Sequence, residues 1–411
     1  MVNMGKCGIF AEKIVKIFTI YCENIHKANL HFPDKYFEEV ATLSKVMTLK
    51  DAVAKYVHDG DAISFGGFTT NRKPYAAVYE ILRQGQKDFI VYAGPAGGDW
   101  DMMIGEGRVK AYINCYTANS GYTNVSRRFR AAIEKGQLNF EDYSQDAIMF
   151  MLHASSLGLP FLPVRFMIGS GLVDEWGISK EVRQTIDKLP NDKYVYIDNP
   201  FTGEKTVALP VPKLDTAIIH VQQASPDGTC IILGDEFHDV DIAVAAKHVI
   251  VTCEELVSNE YIRRDPTLTR VFGECVDAVV HVPHGAHPCQ CYGYYDYDAA
   301  YFKEYDKASK YADEEDAKAQ LLKAVGKAEK ALAKKPDDAK LQDALAKAKK
   351  ASDDAQSGAA VPETFRDFLQ KYCYGVKDHE EYLNNLGAMR LVKLKNVPGF
   401  GYAASVDAIE R

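Results

Sequence analysis

The stretch Asp59-Gly60-Asp61-Ala62-Ile63-Ser64-Phe65-Gly66-Gly67-Phe68-Thr69-Thr70-Asn71-Arg72-Lys73-Pro74 decides the fold. A turn at its start precedes an apolar run of strand length, and two glycines then let the chain turn where a side chain would be in the way. Thr69, Thr70 and Asn71 can cap a helix over 75–82, and Pro74 suits its first turn. Strand, glycine turn and helix form the unit of an open α/β sheet.

Such sheets bind ligands beyond the ends of their strands. Helix-start N–H groups and bare glycine backbone attract anions, and Arg72 and Lys73 add positive charge. The alternative is a tight turn without a ligand, and the stretch alone favours neither. It matches neither GxGxxG nor GxxxxGK[ST], so a dinucleotide or P-loop nucleotide is disfavoured.

The same pattern repeats outward from this stretch, between Lys45 and about Tyr305. Near-continuous apolar runs alternate with helical runs, which predicts an open, largely parallel sheet covered by helices on both faces. Glycines after these runs indicate a rim where backbone approaches a ligand closely. The predicted strands are 88–92, 109–115, 163–168, 215–221, 248–253 and 276–282.

Length, composition and net charge limit the classes of protein to which this chain can belong. The chain has 411 residues, 47% of them hydrophobic and 26% charged, which suits one large or two medium globular domains. A net charge of -8 argues against general nucleic-acid binding. No apolar run approaches bilayer length, so we expect no membrane span. Nine scattered cysteines, several in apolar runs, indicate a reducing cytoplasm.

Two segments differ from the repeating pattern. We expect residues 1–42 to be a non-native or disordered extension, with Leu43 a TTG start read as methionine; a partner-docking helix is the alternative. Residues 312–360 are rich in Ala, Lys, Glu and Leu, with two apolar stripes separated by a break at 335–338. They predict an inserted helical hairpin, either a solvated surface insertion or a docking arm for another protein chain. The α/β domain then comprises 43–311 and 361–411, and 397–399 closes the chain.

Three groups of residues could carry chemistry, and no Ser-His-Asp set, P-loop or HExxH motif accompanies them. Asp99 and Asp101 follow a glycine pair and could perform acid–base work. The stronger interpretation is that Asp99 caps a helix starting at Trp100.

The second group, 116–124, offers hydroxyl and N–H donors after a strand, to a carboxylate or a thioester oxygen. Asn124 or Ser126 then caps a helix with three arginines, one of which could attract a carboxylate although a solvated face explains most of them. The arginines are Arg127, Arg128 and Arg130.

The third group is His284, His287, Cys289 and Cys291, a potential tetrahedral zinc set. Its Cys-x-Cys spacing is cramped and the paired CxxC knuckles are missing, so incidental thiols in a loop are favoured over a metal.

Several of these stretches together resemble family I, the heteromeric CoA-transferases, and within it the A subunits of the glutaconate-specific members. The likeness covers roughly 43–311 and the region from 361 onward. The hairpin departs from it, and Cys289 stands where a serine is expected, which further weakens the zinc hypothesis. The stretches that carry the resemblance are 59–74, 97–101, 107–121, 222–228, 285–288 and 397–399.

The resemblance implies an enzyme of A and B subunits in equal numbers. It moves CoA from an acyl-CoA such as acetyl-CoA to a dicarboxylic acid, glutaconate, in glutamate fermentation. The nucleophile is a glutamate of the B subunit, which attacks the thioester and carries CoA as a glutamyl thioester, so this chain holds no catalytic residue. The family string Ser-Glu-Asn-Gly is absent here. No cofactor or metal is implied, because the CoA thioester is a substrate.

Residue by residue, the resemblance assigns Gly66, Gly67 and Phe68 to the acyl and CoA crevice. It places the second group against the substrate, across the boundary between the two subunits, through Asn119, Ser120 and Gly121. Two alternatives stay open: an A subunit for another acid, such as a 3-oxoacid or another dicarboxylate, and a non-catalytic ligand-binding scaffold.

Overall fold

The computed structural model describes residues 44–123 and 126–396. The predictions for 1–42, Leu43, Asn124 and 397–399 therefore lie outside the described residues. No helix in the described ranges is long and apolar enough to cross a membrane.

Helices alternate with strands along most of the described chain. The helices are α1 Leu49–Tyr56, α2 Tyr75–Gln84, α3 Gly98–Gly105, α4 Arg127–Glu134, α5 Gln145–Ser156, α6 Gly171–Asp174, α7 Lys180–Arg183, α8 Asp239–Ala245, α9 Asn259–Arg263, α10 Ala299–Ala308, α11 Glu314–Lys334, α12 Ala339–Gln356, α13 Phe365–Leu369, α14 His379–Leu386 and α15 Ala388–Leu394. The strands are β1 Ala62–Phe65, β2 Phe89–Tyr92, β3 Val109–Asn114, β4 Asn139–Asp142, β5 Phe161–Val164, β6 Val195–Asp198, β7 Lys205–Pro210, β8 Thr216–Ala224, β9 Cys230–Ile231, β10 His248–Leu256, β11 Thr269–Val271 and β12 Ala278–His281.

The main sheet has a parallel body in the order β4-β3-β2-β1-β8-β10-β12. Two short antiparallel strands, β9 and β11, continue beyond the end of β8. The body strands β1, β2 and β8 are almost wholly buried, as their continuous apolar runs require. The predicted open, largely parallel α/β sheet is confirmed.

Two apolar cores cover the two faces of this sheet. One contains Ile63, Val91 and Ile250 with the side chains of α2 and α3. The other contains Ile90 and Ile219 with the side chains of α5 and α8. Alternate residues of one strand enter opposite cores, because side chains of a strand point to opposite faces. The sheet is therefore the middle layer of three.

The predicted strand at 163–168 is only partly correct. Its first residues belong to β5, which pairs antiparallel with β7 in a separate three-stranded sheet β5-β7-β6. An apolar run specifies a strand but not its partner, because partners are chosen by long-range packing. The small sheet was not predicted from the sequence.

The start of α2 also differs from its prediction. Pro74 occupies the N-cap position and makes no side-chain capping bond, so Thr69, Thr70 and Asn71 do not cap the helix. These residues instead form a tight turn in which the N–H of Phe68 donates to the Asn71 carbonyl at 2.9 Å. The turn brings the chain back to the sheet before the helix begins.

The helical hairpin is observed as α11 and α12, within the segment 312–360. Asp313 and Asp338 cap the two helices by accepting backbone N–H groups, which matches their preference for N-cap positions. Lys349 of α12 forms an ion pair with Glu329 of α11 at 3.1 Å. The two ends of the segment meet, because the N–H of Phe365 donates to the Tyr311 carbonyl at 2.9 Å.

Candidate functional site

Three loops converge at the carboxyl ends of β1, β2 and β3. Adjacent parallel strands end at the same edge of a sheet, so the residues that follow them become neighbours. The N–H of Thr69 donates to the Pro95 carbonyl at 2.9 Å, which joins the first loop to the second. The N–H of Gly98 donates to the Asn119 side chain at 2.7 Å, which joins the second to the third. The predicted groups Gly66–Phe68 and Asn119–Gly121 thus lie on one edge.

Gly66 and Gly67 are required by close packing. A Cβ on Gly66 would lie 2.5 Å from an Asp239 carboxylate oxygen and 2.9 Å from Ile219. Gly67 has φ +73°, and a Cβ at this position would collide with the carbonyl of Asn71. A side chain at either position would displace the floor of the site.

The N–H groups of this turn are already used within the chain, which favours the alternative of a tight turn over an anion cradle. Gly66 donates to the Ile218 carbonyl at 2.9 Å, and Gly67 donates to Asp239 at 3.0 Å. The glycines therefore fix the course of the backbone and do not present free amides.

The positive charges next to the turn are also neutralised. Arg72 is buried and its guanidinium binds the Asp239 carboxylate at 3.0 Å and the His220 carbonyl at 2.8 Å. Lys73 is fully buried, with its ammonium 3.5 Å from the Asp99 carboxylate. Each cation faces a buried acid, so of the two interpretations left open by the sequence these contacts favour the tight turn over attraction of an external anion.

A cavity of about 460 Å³ opens beside the turn. Phe68 stacks on Phe237 at 4.8 Å between ring centroids, next to this cavity. Gln222 connects two segments that line the cavity. Its side chain donates to the carbonyls of Leu233 and Tyr292 at 3.0 and 3.1 Å. Gln222 lies in one of the stretches that carry the resemblance. The lining comprises Asn71, Arg72, Leu233, Gly234, Asp235, Phe237, Gln290, Tyr292 and Tyr297.

Most of the residues that line this cavity were not predicted from the sequence. The loop 233–239 follows the two-residue strand β9, which is too short to show an apolar run. A glycine within an acidic and aromatic run, Gly234 to Asp239, was the available signal. Tyr297 donates from its hydroxyl to the Asn71 side chain at 2.9 Å, a contact across 226 residues that no local pattern shows.

The third loop, which follows β3, has one buried and two more exposed residues among the predicted set. Asn119 is buried, and its side-chain oxygen receives the Gly98 N–H. Ser120 is half-buried, and its hydroxyl lies 3.0 Å from that of the exposed Tyr116. Gly121 is exposed, with φ +83°. Of the three residues, Ser120 offers a side-chain donor to a ligand.

Asp99 and Asp101 are fully buried and point to separate partners. Asp99 receives the Gly97 N–H at 2.8 Å, but α3 begins at Gly98, so its predicted role as the N-cap residue of a helix starting at Trp100 is wrong. Asp101 accepts from the Phe129 N–H and the Tyr305 hydroxyl, both at 2.7 Å. Burial raises the pKa of Asp101 to about 6. Neither acid is placed for acid–base work on a ligand.

His238 is buried next to the glycine turn and contacts the last residue of β1. Its Nε2 lies 3.0 Å from the Phe65 carbonyl, which identifies Nε2 as the protonated nitrogen. Burial, with the nearby Lys73 ammonium, lowers the pKa of His238 to about 4. The ring is therefore neutral at pH 7 and serves as a hydrogen-bond donor to β1.

The arginine-bearing helix α4 is not a simple solvated face. Arg127 forms a bidentate pair with Asp306, with bonds of 2.7 and 2.9 Å. Arg128 is buried. Ser126 holds the N-cap position of α4 but its side chain makes no capping bond.

The four His and Cys residues of the third group do not assemble. His287 binds the Tyr382 hydroxyl at 2.6 Å and Asp298 at 2.9 Å. Among the described residues, one set of potential metal ligands is closely grouped, namely His220, Glu254 and Cys291.

That set is a hydrogen-bonded core network. His220 binds Glu254 at 2.7 Å and Thr252 at 2.9 Å through its two ring nitrogens, and Tyr295 donates to the same carboxylate at 2.6 Å. Burial raises the pKa of the Cys291 thiol well above its usual range. With both imidazole nitrogens engaged, this donor set favours a structural role over metal binding.

Comparison with known proteins gives a consistent result. The Coenzyme A transferase family model matches residues 46–282. The A subunit of glutaconate CoA-transferase from Acidaminococcus fermentans is 58% identical over 361 residues, which cover 88% of this chain and 97% of that protein.

Two further matches extend the comparison. The crystal structure of glutaconate coenzyme A-transferase from Acidaminococcus fermentans superposes with a TM-score of 0.75 and 58% identity, and covers 90% of this chain and 100% of that one. The A subunit of 3-oxoadipate CoA-transferase from Pseudomonas knackmussii is 32% identical and covers 64% of this chain and 88% of that protein.

Proposed function

This chain belongs to the Coenzyme A transferase family, and on that premise we propose that it is the A subunit of a glutaconate CoA-transferase. The observation that carries the proposal is 58% identity across 97% of a protein of that name. The proposed reaction moves CoA from acetyl-CoA, or another acyl-CoA, to glutaconate, in the context of glutamate fermentation. The proposed partner is a B subunit present in equal number.

The proposed reaction is ping-pong. The thioester carbonyl is attacked by a glutamate carboxylate of the B subunit, which breaks the C–S bond and gives a mixed anhydride and a CoA thiolate. The thiolate then attacks the glutamyl carbonyl of the anhydride, which releases the first acid and leaves CoA on the enzyme as a glutamyl thioester. Glutaconate reverses these two steps and leaves as glutaconyl-CoA. The thioester energy is retained throughout, provided that water is excluded.

Within this scheme the present chain supplies a fixed surface for substrate. Gly66, Gly67 and Phe68 are proposed to line the acyl and CoA crevice, with the cavity beside them taking part of the ligand. Asn119 is proposed to hold the third loop in place against the second through its bond to Gly98. Ser120 is proposed to donate a hydrogen bond to the substrate carboxylate, with Gly121 beside it.

The central experiment is co-expression with the candidate B subunit, followed by acetyl-CoA:acid exchange assays over several dicarboxylates. Borohydride reduction of the enzyme after incubation with acetyl-CoA traps the glutamyl thioester. We expect the modification on the partner chain and exchange only when both chains are present. Exchange by the purified chain alone, with the adduct on it, would contradict the division of roles.

Ser120→Ala tests the proposed substrate contact. Loss of a hydrogen bond to a charged group should lower kcat/KM for glutaconate by roughly 1.5–3 kcal/mol, about ten- to a hundredfold. Tyr116→Phe is the matched control, because it removes the hydroxyl that contacts Ser120 and leaves Ser120 itself. Unchanged kcat/KM in Ser120→Ala would exclude the role.

A second candidate is transfer of CoA to another acid. The 32% identity to the A subunit of a 3-oxoadipate CoA-transferase supports it, because 3-oxoadipate is both a 3-oxoacid and a dicarboxylate. Glycine turns do not discriminate between acids, and we propose that the cavity side chains Asn71, Gln290 and Tyr292 do so. The exchange assay therefore includes 3-oxoadipate and succinate beside glutaconate, and the acid with the highest kcat/KM identifies the acceptor.

A further inference from the structure

A groove of about 640 Å³ lies between α4 and the first hairpin helix α11, apart from the cavity at the glycine turn. It is lined by fourteen residues, of which seven are Arg or Lys and two are acidic. The whole chain carries a net charge of -8, so this concentration of positive charge is local. A local basic surface of this kind attracts an anion.

The acids near the groove are already paired. Glu134 binds Arg130 at 2.8 Å, and Asp316 lies 3.9 Å from Lys135. Arg127 is held by Asp306, at 2.7 Å. These pairs account for three of the seven cations.

The remaining four cations have no carboxylate within 4 Å in the described part of the chain: Arg128, Lys310, Lys323 and Lys327. Lys323 and Lys327 are exposed and one helical turn apart on α11. Like charges at this spacing repel and slightly destabilise a helix. A bound anion between α11 and α4 would remove that repulsion.

Arg128 adds an unused donor at the base of the groove. Its side chain is 6% exposed, and one terminal nitrogen donates to the Lys310 carbonyl at 3.0 Å. Its Nε is buried, and no acceptor for it exists among residues 44–123 and 126–396. Buried donors are usually paired in native proteins, so this N–H, in a residue that lines the groove, can donate to a partner that the described residues do not supply.

We propose that this groove binds a small molecule that carries two or more phosphate groups. Arginine matches phosphate geometry through its planar fork, and lysines add point charges. Three lysines without a carboxylate partner, together with Arg128, suit a ligand with several negative charges. The volume lies within the range of small-molecule sites, and Ala131, Leu321 and Ala324 offer contact to an organic body.

Three probes share this chemistry and distinguish its sources: ADP, CoA and inorganic pyrophosphate. Each is titrated into the purified full-length chain by isothermal calorimetry, without a transfer assay, so failure of CoA transfer does not affect the result. We expect ADP or pyrophosphate to bind with a dissociation constant below roughly 1 mM. Binding of CoA counts for the groove only where the lysine variant below weakens it, because the proposed function also places CoA at the glycine turn. Preference for ADP identifies a nucleotide, preference for CoA identifies the thioester substrate, and equal binding of pyrophosphate shows that the phosphates suffice.

Lys323→Ala/Lys327→Ala is the test variant, because both side chains are on the surface and their loss leaves folding intact. We expect it to weaken binding about tenfold or more. Lys340→Ala/Lys350→Ala is the control, since it removes the same charge from exposed positions of α12 outside the groove. Arg128→Lys keeps the positive charge but loses the planar guanidinium group, so it should also weaken binding.

Three results would overturn the proposal. The first is that none of the probes binds. The second is that both double variants weaken binding equally, which would show diffuse charge attraction. The third is that a poly-glutamate peptide binds while the phosphates do not, which would assign the groove to an acidic protein segment.

Discussion

Asp239 lies beneath the glycine turn and connects it to the rest of the site. Its carboxylate accepts the Gly67 N–H and binds the buried guanidinium of Arg72. It also fills the space that a Cβ on Gly66 would need. One side chain thereby fixes both the position and the composition of the turn.

Asp239→Ala should lower the free energy of unfolding by roughly 3–5 kcal/mol, because it leaves the Arg72 charge buried without a partner. Urea denaturation followed by circular dichroism measures this change. The double variant Asp239→Leu/Arg72→Met removes both charges and should lose less than the single variant. A single variant that loses under about 1 kcal/mol would show that solvent reaches Arg72.

Gly66→Ala should reduce both stability and transfer activity, since its methyl group must displace Asp239 or Ile219. Overpacking of this kind costs about 1–3 kcal/mol. Gly171→Ala is the matched control, because a Cβ there meets nothing within 4 Å. Thermal unfolding measures the stability of both variants. Equal losses of stability would show that contact with Asp239 and Ile219 is not the reason for glycine at position 66.

Asp101 predicts a specific pH dependence. Its folded pKa of about 6 lies above the usual value of about 3.9, so the folded state binds the proton more tightly than the unfolded state. The stabilisation that protonation supplies is fully present below about pH 4 and is lost as pH rises through 6.

Asp101→Asn should remove this dependence. The unfolding free energy of the wild type, minus that of the variant, should fall by roughly 2–3 kcal/mol between pH 4 and pH 7. Urea titrations at pH 4, 5, 6 and 7 measure it. Asp337→Asn, at the exposed turn of the hairpin, is the control. A difference that does not change with pH would contradict the assignment.

At the residue scale, the sequence predicted the glycines but not what requires them. Gly66 and Gly67 stand out because glycine pairs after an apolar run are a local signal. Asp239 lies 172 residues from Gly67. An acid at the start of a helix is explained by its favourable interaction with the helix dipole, so the sequence gives no reason to expect its distant contact. The partners of Arg72 and Lys73 were not predicted for the same reason, since they too come from other segments.

Among the elements, the hairpin was the most predictable. Helix α11 spans Glu314–Lys334, and both its apolar stripe and its Asp313 cap are encoded within a few residues. Strand β5 was the least predictable, because the choice between parallel and antiparallel partners depends on residues 207–210 of β7. Local periodicity defines an element, and only tertiary packing selects its neighbours.

Excision of the hairpin should leave the body folded. Tyr311 and Ala312 are hydrogen-bonded to Phe365 and Arg366, so a short Gly-Ser linker can replace residues 314–361. Few hairpin residues are buried, among them Ala317 and Ala355, and their loss should cost less than about 2 kcal/mol. Thermal unfolding of the shortened chain measures the cost. Aggregation of the shortened chain would show that the hairpin is part of the core.

At the scale of the whole molecule, seven cysteines in the described ranges are free thiols. Five of these are buried, and burial raises the pKa of Cys253 and Cys373 to about 12. The cytoplasmic location inferred from the scattered cysteines stays a prediction. The molecule as a whole is expected to be fully reduced.

Thiol titration with a disulfide reagent tests this expectation. Native protein should leave the five buried thiols unreacted, because a neutral buried thiol is a poor nucleophile. The same protein in denaturant without reductant should give nine thiols. A total of seven or fewer in denaturant would reveal a disulfide.

The pairing of β1 with β8 also sets the order in which this chain can fold. The Ala62 N–H and its acceptor Asp215 are 153 residues apart, and every pairing in the body of the sheet is parallel. Contacts between such distant segments are slow to form, because a long loop must close before they are made. During synthesis β1 can pair with β2 early, but its other edge must wait for β8 to leave the ribosome. Throughout that interval this edge of β1 is open to aggregation or to chaperones.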